Sequence, residues 1–275
     1  MNLKKLNALY PNKIAFITGA GSGLGAAFAK VLSENNWTLH LSDINENALK
    51  NVVGDLKTNE KIFQYTLDVG DKHQFEKVVQ EVFKNTESVD VVINNAGIGD
   101  GLLFKDYPVD KWEKMIEINL MGTFYGCHFF SPHLIKQKRG LLLNVGSSAG
   151  FMNAPAMSAY STSKAAVYSL SESLHHELKP YNIQVSVLTP TFFKTNIMEN
   201  ASSPVMKGYA EKQMKYSKTN ADEVAEITLD KAAKGKFQII HPTDAKTKFF
   251  LKKWLPKLVA KEYHKMMTKL VKMNG

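Results

Sequence analysis

Short apolar runs alternate with helical segments along most of the chain, and this alternation is the feature that most restricts its fold. The first run, residues 13–19, ends in glycine, and a helical segment follows it at 23–36. Strands that alternate with helices form βαβ units, whose strands lie parallel and are covered on both faces. The sequence therefore predicts an α/β fold with a doubly wound parallel sheet, the Rossmann fold. We expect strands at 13–19, 37–43, 61–69, 89–97, 140–147, 183–190 and 236–242.

The alternation ends near residue 242, and no repeat, low-complexity tract or interdomain linker interrupts it. A chain of 275 residues suits one large α/β domain or two small ones, and the absence of a linker favours one. Long helices are expected over 110–137 and 159–179. We therefore predict one domain over residues 1–242 and a basic amphipathic helical extension over 243–275.

Several features of the sequence indicate the cellular compartment in which the protein is expected. Cys127 is its one cysteine, so no intrachain disulfide forms, and the first residues lack the apolar core of a signal peptide. Residues 118–135 carry no Asp, Glu, Lys or Arg, but they include Asn119 and two histidines and are too polar for a membrane span. We expect a cytoplasmic protein in which this segment is a helix buried in the protein or in a subunit interface.

The net charge of +9 is concentrated at one end. Residues 246–275 hold nine lysines and one acid, Glu262, so that the tail carries +8 and the remainder of the chain +1. Arg139 is the one arginine, and arginine is the usual reader of base edges. The positive net charge is therefore a property of the tail and not of the whole protein, and we expect no nucleic-acid partner.

A glycine-rich turn, TGAGSGLG at 18–25, joins the first predicted strand to the first helix. Glycines at such a turn let the backbone approach a pyrophosphate, whose charge the helix N-terminus stabilises. Asp43 ends the second predicted strand, 18 residues after Gly25. An acid there can accept hydrogen bonds from an adenosine ribose, although an aspartate in this position can also cap the next helix.

Tyr160 and Lys164 stand four positions apart in SAYSTSK, so they lie on one face of a helix. A cation beside a phenol favours the phenolate and lowers its pKa. A tyrosine with a lowered pKa can exchange a proton with an alcohol or carbonyl oxygen. The pair alone is also compatible with a solvated helix face, so other motifs must support it.

Such motifs are present, and together they resemble the short-chain dehydrogenase/reductase family over about residues 12–242. The loop at 18–25 is similar to the family's Thr-Gly-x-x-x-Gly-x-Gly motif, NNAG at 94–97 to its Asn-Asn-Ala-Gly motif, and YSTSK at 160–164 to its Tyr-x-x-x-Lys motif. Ser147 stands where the family has its catalytic serine, and Asn119 where it has its catalytic asparagine.

The resemblance implies a role for each of four catalytic residues. Tyr160 is the general acid/base. Lys164 lowers its pKa and holds the nicotinamide ribose, Ser147 hydrogen-bonds the reacting oxygen, and Asn119 holds a water that relays the proton. Ser148 is a neighbouring hydroxyl that competes with Ser147 for the serine role.

The resemblance also implies a nicotinamide cofactor and the residues that contact it. We expect NAD in preference to NADP, because Asp43 repels a 2′-phosphate, while Ser22 and Ile44 stand where phosphate-binding relatives often carry Arg or Lys. Thr191 replaces the glycine of the family's Pro-Gly pair, which affects the shape of the nicotinamide pocket. The predicted contacts are Gly19, Ser22, Gly23, Leu24, Gly25, Asp43, Asp68, Val69, Asn94, Ala96, Gly97, Tyr160, Lys164, Pro190, Phe193 and Thr195.

These features together predict an oxidoreductase that transfers a hydride between NAD and a secondary alcohol or ketone, expected to be lipophilic. A non-catalytic dinucleotide sensor or scaffold on the same fold is the alternative. The family resemblance implies a homodimer or homotetramer that packs the helices at 110–137 and 159–179. His175 and His176 are adjacent and lack the spacing of paired metal ligands on a helix, so no metal site is predicted.

The tail leaves two interpretations open. Lysines at 253, 257, 261, 265 and 269 form a basic stripe on a helix, and apolar residues that include Trp254 and Leu258 form another side. The apolar side can dock on the domain or a partner subunit over the substrate pocket. It can instead make a peripheral contact with an anionic membrane.

Overall fold

A computed structural model describes residues 3–57, 60–193, 202–242 and 244–274. Seven parallel strands form one sheet in the order β3-β2-β1-β4-β5-β6-β7. This is the doubly wound arrangement that the alternation of strands and helices predicted. The strands are β1 (Ile14–Thr18), β2 (Thr38–Asp43), β3 (Ile62–Thr66), β4 (Val91–Asn94), β5 (Gly140–Val145), β6 (Ile183–Leu188) and β7 (Gln238–Ile239).

Helices cover both faces of the sheet, so each central strand is buried on two sides. One apolar core lies between the sheet and the helices α2, α3 and α10, and the other between the sheet and α4, α6 and α8. The helices are α1 (Lys4–Leu9), α2 (Gly23–Ser33), α3 (Glu46–Asp55), α4 (Lys72–Asn85), α5 (Val109–Ile116), α6 (Gly122–Gln137), α7 (Ala149–Met152), α8 (Ser158–Leu178), α9 (Pro204–Tyr216), α10 (Ala221–Ala233), α11 (Asp244–Trp254) and α12 (Pro256–Asn274).

Two elements differ from the sequence prediction. The helix expected over 110–137 is divided into α5 and α6 by a π-helical turn at Glu117–Met121. Such turns insert one extra residue into the helix and occur often at functional sites. The last strand is only two residues long, because β7 is an edge strand that pairs with β6 at two positions.

A buried histidine lies in the middle of β2. The His40 ring stacks on Phe63 with ring centroids 4.6 Å apart, and its Nδ1 lies 2.8 Å from the hydroxyl oxygen of Tyr65. Burial lowers the pKa of His40 to about 4, because the charged imidazolium is poorly solvated there. His40 is therefore neutral in the folded protein at neutral pH.

This burial makes stability depend on pH. The folded pKa lies below the ordinary value of 6.5, so the unfolded chain binds more protons between about pH 4 and 6.5. The contribution of His40 to the free energy of unfolding is fully present above about pH 6.5 and is lost as the pH drops toward 4. Between pH 7 and pH 5 the free energy of unfolding of His40→Phe should fall by about 2 kcal/mol less than that of the wild type. Urea titrations at both pH values measure the difference, and equal losses in the two proteins would contradict the assignment.

The C-terminal extension packs against the domain, which agrees with the docking interpretation. Lys252 Nζ and the Tyr263 hydroxyl both donate to the backbone carbonyl of Met152, at 2.7 and 2.8 Å. The rings of Phe249 and Phe151 meet edge to face at 4.9 Å. Helices α11 and α12 therefore hold the segment that follows β5. Among the described residues no helix is both long enough and apolar enough to cross a lipid bilayer.

Loss of both donors to Met152 should loosen the extension. Each hydrogen bond contributes about 1 kcal/mol, so the double variant Lys252→Met/Tyr263→Phe should exchange amide hydrogens in α12 about 30-fold faster than the wild type. Hydrogen exchange read by mass spectrometry measures this rate. Lys253→Met is the matched control, because Lys253 is exposed and lies next to Lys252. Equal acceleration in the control would show that the Met152 contacts do not hold the helix.

Candidate active site

The predicted site residues that the structure describes lie along one edge of the sheet. Gly19, Asp43 and Asn94 come at or just after the carboxyl ends of β1, β2 and β4, and Ser147 follows β5. The strand order reverses between β1 and β4, and ligands of such sheets bind in the crevice at this point. Thr195, also predicted as a cofactor contact, lies outside the described residues.

The turn between β1 and α2 requires glycine for steric reasons. Gly19 and Gly23 have φ of +66° and +53°, in the left-handed region. A Cβ on Gly25 would lie 2.0 Å from the Gly19 carbonyl oxygen, so no other residue fits there. Ser22 is exposed and precedes α2, whereas Leu24 is buried. The turn therefore forms an open cradle at the N-terminus of α2, of the kind that binds phosphate.

Asp43 connects this cradle to the end of β2. Its Oδ2 accepts a hydrogen bond from Gly21 N, and its Oδ1 accepts one from Asn45 N, both at 2.9 Å. The N-cap of α3 is Asn45, whose side chain accepts from Ala48 N. The helix-capping alternative for Asp43 is therefore wrong, and its half-buried carboxylate stands beside the glycine turn.

Asp68 and Val69 follow β3 and take different positions. Asp68 accepts from Gly70 N at 2.9 Å, and its other oxygen lies 3.4 Å from Lys114 Nζ. Val69 is buried against Gly122 at the start of α6, where a Cβ would lie 2.8 Å from a Val69 methyl group. The pair closes the β3 side of the crevice.

The turn after β4 is bonded directly to the glycine turn. Asn95 Nδ2 donates to the carbonyls of Thr18 and Gly19, at 3.0 and 3.1 Å. The backbone N–H groups of Asn95 and Ala96 both donate to Thr18 Oγ1 at 3.0 Å. Thr18 and Asn95 are absent from the predicted contacts, although both belong to the quoted motifs.

The side chain of Asn94 points away from the crevice. Its Nδ2 donates to Asn144 Oδ1 at 2.8 Å and to Cys127 Sγ at 3.5 Å. A Cβ on Gly126 would lie 1.9 Å from Asn94 Oδ1, so α6 packs closely on this amide. Asn94 therefore faces the crevice with its backbone alone.

Asn119, Gly97 and Lys164 meet on the other side of the crevice. Asn119 lies in the π-helical turn and is fully buried. Its amide accepts from Ile98 N at 2.8 Å and donates to the Ile98 carbonyl at 3.0 Å. A Cβ on Gly97 would lie 3.0 Å from Asn119 Oδ1 and 3.3 Å from Lys164 Nζ. Glycine at position 97 is thus what lets these side chains come together.

Tyr160 and Lys164 project from α8, and Ser147 lies opposite them. The Tyr160 hydroxyl lies near Ser147, whose hydroxyl lowers the tyrosine pKa, and Ser147 Oγ accepts from Ala149 N at 3.1 Å. Ser148 instead donates its backbone N–H to the Pro190 carbonyl. Ser147 is therefore the serine that reaches the tyrosine. Lys164 Nζ donates to the Val145 carbonyl at 2.9 Å and lies 5.9 Å from the centroid of the Tyr160 ring.

Burial controls the protonation of this pair. It raises the pKa of Tyr160, an effect that the Ser147 hydroxyl opposes. It lowers the pKa of Lys164 to about 8. We expected Lys164 to lower the tyrosine pKa. The net shift in the structure is upward, because removal of the phenolate from water outweighs the lowering effect of Ser147.

The residues after β6 divide between core and crevice. The Phe193 side chain is buried in the core with Val224 and Leu229 of α10, so only its backbone is available to a cofactor. Phe192 packs against Ala210 and Met214 of α9. Thr191 is also buried, at 9% exposed. Among the described residues no group of histidine, cysteine or acidic side chains has the arrangement of a metal site.

Comparison with known proteins gives one consistent result. The model of the short chain dehydrogenase family matches residues 13–205. An uncharacterized oxidoreductase of Staphylococcus aureus strain USA300 is 32% identical over 186 residues, which are 68% of this chain and 80% of that protein. A short-chain dehydrogenase/reductase of Burkholderia phymatum, solved in complex with NAD, is 28% identical with a TM-score of 0.82 and covers 87% of this chain and 92% of its own.

An NAD⁺-bound xylitol dehydrogenase is 26% identical with a TM-score of 0.74, over 84% of this chain and 97% of its own. The matched segment contains the glycine turn, Asn119, Ser147, Tyr160 and Lys164. This chain therefore belongs to the short-chain dehydrogenase/reductase family and is an NAD(P)-dependent oxidoreductase.

Proposed function

We propose that this enzyme transfers a hydride between NAD and a lipophilic secondary alcohol or ketone, with Tyr160 as the general acid/base. The observation that carries the proposal is the convergence of four side chains at the crevice: Ser147 lies near the Tyr160 hydroxyl, Lys164 Nζ lies 5.9 Å from the centroid of the Tyr160 ring on the same helix, and Asn119 meets Lys164 at Gly97. A scaffold that only binds a dinucleotide has no need of this arrangement. The glycine turn supports dinucleotide binding in the crevice. Gly19 and Gly25 have no Cβ, and a Cβ at either position would collide with neighbouring backbone of the cradle.

The cofactor supplies the hydride donor or acceptor, and the residues of this chain handle the proton. Burial holds Tyr160 protonated, so the phenol is ready to donate to a carbonyl oxygen during reduction. Ser147 donates a second hydrogen bond to the same oxygen and stabilises the charge that develops on it. In the oxidation direction Tyr160 must first lose its proton, so alcohol oxidation should become faster as the pH rises.

Lys164 and Asn119 provide the path by which Tyr160 regains or loses its proton. The Lys164 ammonium lies close to Gly97 and Asn119 Oδ1, and its pKa of about 8 lets it exchange a proton near neutral pH. Asn119 Oδ1 accepts one hydrogen bond from Ile98 N, and a carbonyl oxygen has a second lone pair. We assign that lone pair to the relay water. Lys164 also holds the nicotinamide ribose in this proposal.

Substitution of the two α8 residues should separate chemistry from binding. Tyr160→Phe should keep cofactor binding and lose about 10³-fold in kcat, because the proton donor is gone. Lys164→Ala should lose both cofactor binding and turnover. Absorbance at 340 nm with a panel of secondary alcohols measures turnover, and quenching of protein fluorescence measures cofactor binding. Tyr168→Phe is the matched control, since Tyr168 lies two turns further along α8.

A Tyr160→Phe enzyme that keeps most of its kcat would remove the acid/base assignment. A wild-type protein that binds NAD but turns over no alcohol or ketone of the panel would favour the dinucleotide sensor instead.

NAD is proposed over NADP on the basis of Asp43. Gly21 N and Asn45 N orient its carboxylate at the end of β2, and each carboxylate oxygen keeps a lone pair for a ribose hydroxyl. The exposed side chains of Ser22 and Ile44 offer no positive charge to a 2′-phosphate. NAD in the Burkholderia phymatum relative supports the same choice.

Neutralisation of Asp43 should therefore weaken the preference for NAD. Like charges brought together cost several kcal/mol, so Asp43→Asn should reduce the ratio of kcat/KM with NAD to kcat/KM with NADP by about 10-fold or more. The matched control is Asp222→Asn, which removes a surface carboxylate paired with Lys30. A wild-type enzyme with higher kcat/KM for NADP would overturn the assignment.

The substrate class is proposed from the side chains around Tyr160. They form an apolar cluster that includes Met115 and Met157, and Met266 and Met267 of α12 pack against it. Tyr107 and Trp112 complete the cluster next to α5. Methionine and aromatic side chains make an adaptable apolar wall, which suits a lipophilic alcohol or ketone better than a sugar.

The remaining partner assignments are also proposals. We propose a homodimer or homotetramer that packs α6 and α8 of neighbouring subunits, with Phe124 of α6 exposed on that side. We place the enzyme in the cytoplasm, peripheral to a membrane that it contacts through α11 and α12.

A further inference from the structure

The C-terminal extension has an inner face that is already occupied. Phe249, Lys252 and Tyr263 contact the segment at Phe151 and Met152, and Met266 and Met267 pack on the cluster around Tyr160. The amphipathic pattern of α11 and α12 is therefore partly explained by docking. The side chains that remain exposed are the ones that need another explanation.

Large apolar side chains are exposed where α11 meets α12, a region that we name the tail corner. Trp254 is 70% exposed, although tryptophan is among the side chains most stabilised by burial. Its neighbours on both helices are exposed as well. The apolar members of the tail corner are Phe250, Leu251, Trp254, Leu255 and Leu258. Contiguous exposed apolar residues of this kind mark an interaction surface.

Exposed lysines surround the tail corner. Lys253, Lys257 and Lys261 are all exposed, and Leu258, Lys261 and Lys265 share one face of α12 by their spacing of three and four residues. Lys253 Nζ lies 5.6 Å from the centroid of the Trp254 ring. The partner surface must therefore accept apolar side chains and positive charge side by side.

We infer that the tail corner binds the surface of anionic phospholipid bilayers. Aromatic and aliphatic side chains flanked by lysine bind the boundary between lipid headgroups and acyl chains. Each lysine near an anionic surface contributes up to about fivefold to binding at low salt. A second copy of the chain is a poorer occupant, because an isologous contact would bring one +8 tail against another. The remainder of the chain, at +1, has no net negative charge to offset this.

The tail corner and the active site share one structural support. The helices that carry the corner also hold Met152 and the segment that leads to Tyr160. An enzyme bound by this surface is attached to the bilayer through α12, the helix whose Met266 and Met267 pack on the apolar cluster. A lipophilic substrate would then reach the site from the membrane. This consequence is the one part of the inference that rests on the proposed function. The binding surface itself does not depend on the reaction.

Co-sedimentation with vesicles tests the inference. The full chain should pellet with vesicles of phosphatidylcholine and phosphatidylglycerol several-fold more than with phosphatidylcholine alone, and high salt should reduce the difference. Lys257→Gln/Lys261→Gln should lower binding to the anionic vesicles by up to about 25-fold at low salt. Trp254→Ser/Leu258→Ser should lower binding at both salt concentrations. Wild-type tryptophan emission should shift to the blue when vesicles are added, because Trp254 is exposed, whereas Trp37 is buried and Trp112 is partly buried in the cluster around Tyr160.

Matched variants control for charge and exposure elsewhere. Lys77→Gln/Lys84→Gln removes two exposed lysines of α4, and Tyr216→Ser removes an aromatic residue that is 73% exposed. Both should bind as the wild type does. Absence of wild-type pelleting, or equal losses in these controls, would overturn the inference. So would self-association without vesicles that Trp254→Ser/Leu258→Ser abolishes. Turnover of a water-soluble alcohol without vesicles should be the same in all variants, which separates this test from the test of the reaction.

Discussion

The hydrogen bonds between the turn after β1 and the turn after β4 are the contact on which the site depends. Thr18 Oγ1 accepts two backbone N–H groups from Asn95 and Ala96, and Asn95 returns two hydrogen bonds to the carbonyls of Thr18 and Gly19. These bonds form where the strand order reverses and the sheet opens a crevice. They fix the phosphate cradle relative to Gly97, and Gly97 in turn fixes the distance to Asn119 and Lys164.

Burial is the second constraint on the chemistry. The Tyr160 and Lys164 side chains are removed from water together, and burial favours the neutral form of each. The amine of Lys164, with a pKa of about 8, exchanges protons near neutral pH more readily than a surface lysine does, whereas the raised pKa of Tyr160 favours the protonated phenol. The apolar cluster of Met115, Met157 and the α12 methionines packs around Tyr160 and contributes to the burial that shifts its pKa.

The fold and most of the site positions could be predicted because they rest on local rules. The alternation of strands and helices follows from periodicity, and Gly19 and Gly25 follow from the shape of the turn. The side-chain direction of Asn94 could not be predicted, because it depends on Asn144 and Gly126, which are distant in sequence. The net direction of the Tyr160 pKa shift could not be predicted for a similar reason, since burial is a property of the packed chain. Docking of the tail likewise requires the position of Met152, which the sequence alone does not give.

The burial of Cys127 has a practical consequence for spectroscopy. Its thiol is enclosed by Asn94 and Asn144, and burial raises its pKa to about 12. A thiol that stays protonated reacts poorly with maleimides and methanethiosulfonates. Because the sequence has no other cysteine, a cysteine introduced at an exposed position such as 253 becomes the one reactive thiol of the protein. A spin label or fluorophore can thus be placed on any exposed position without first removing a native residue.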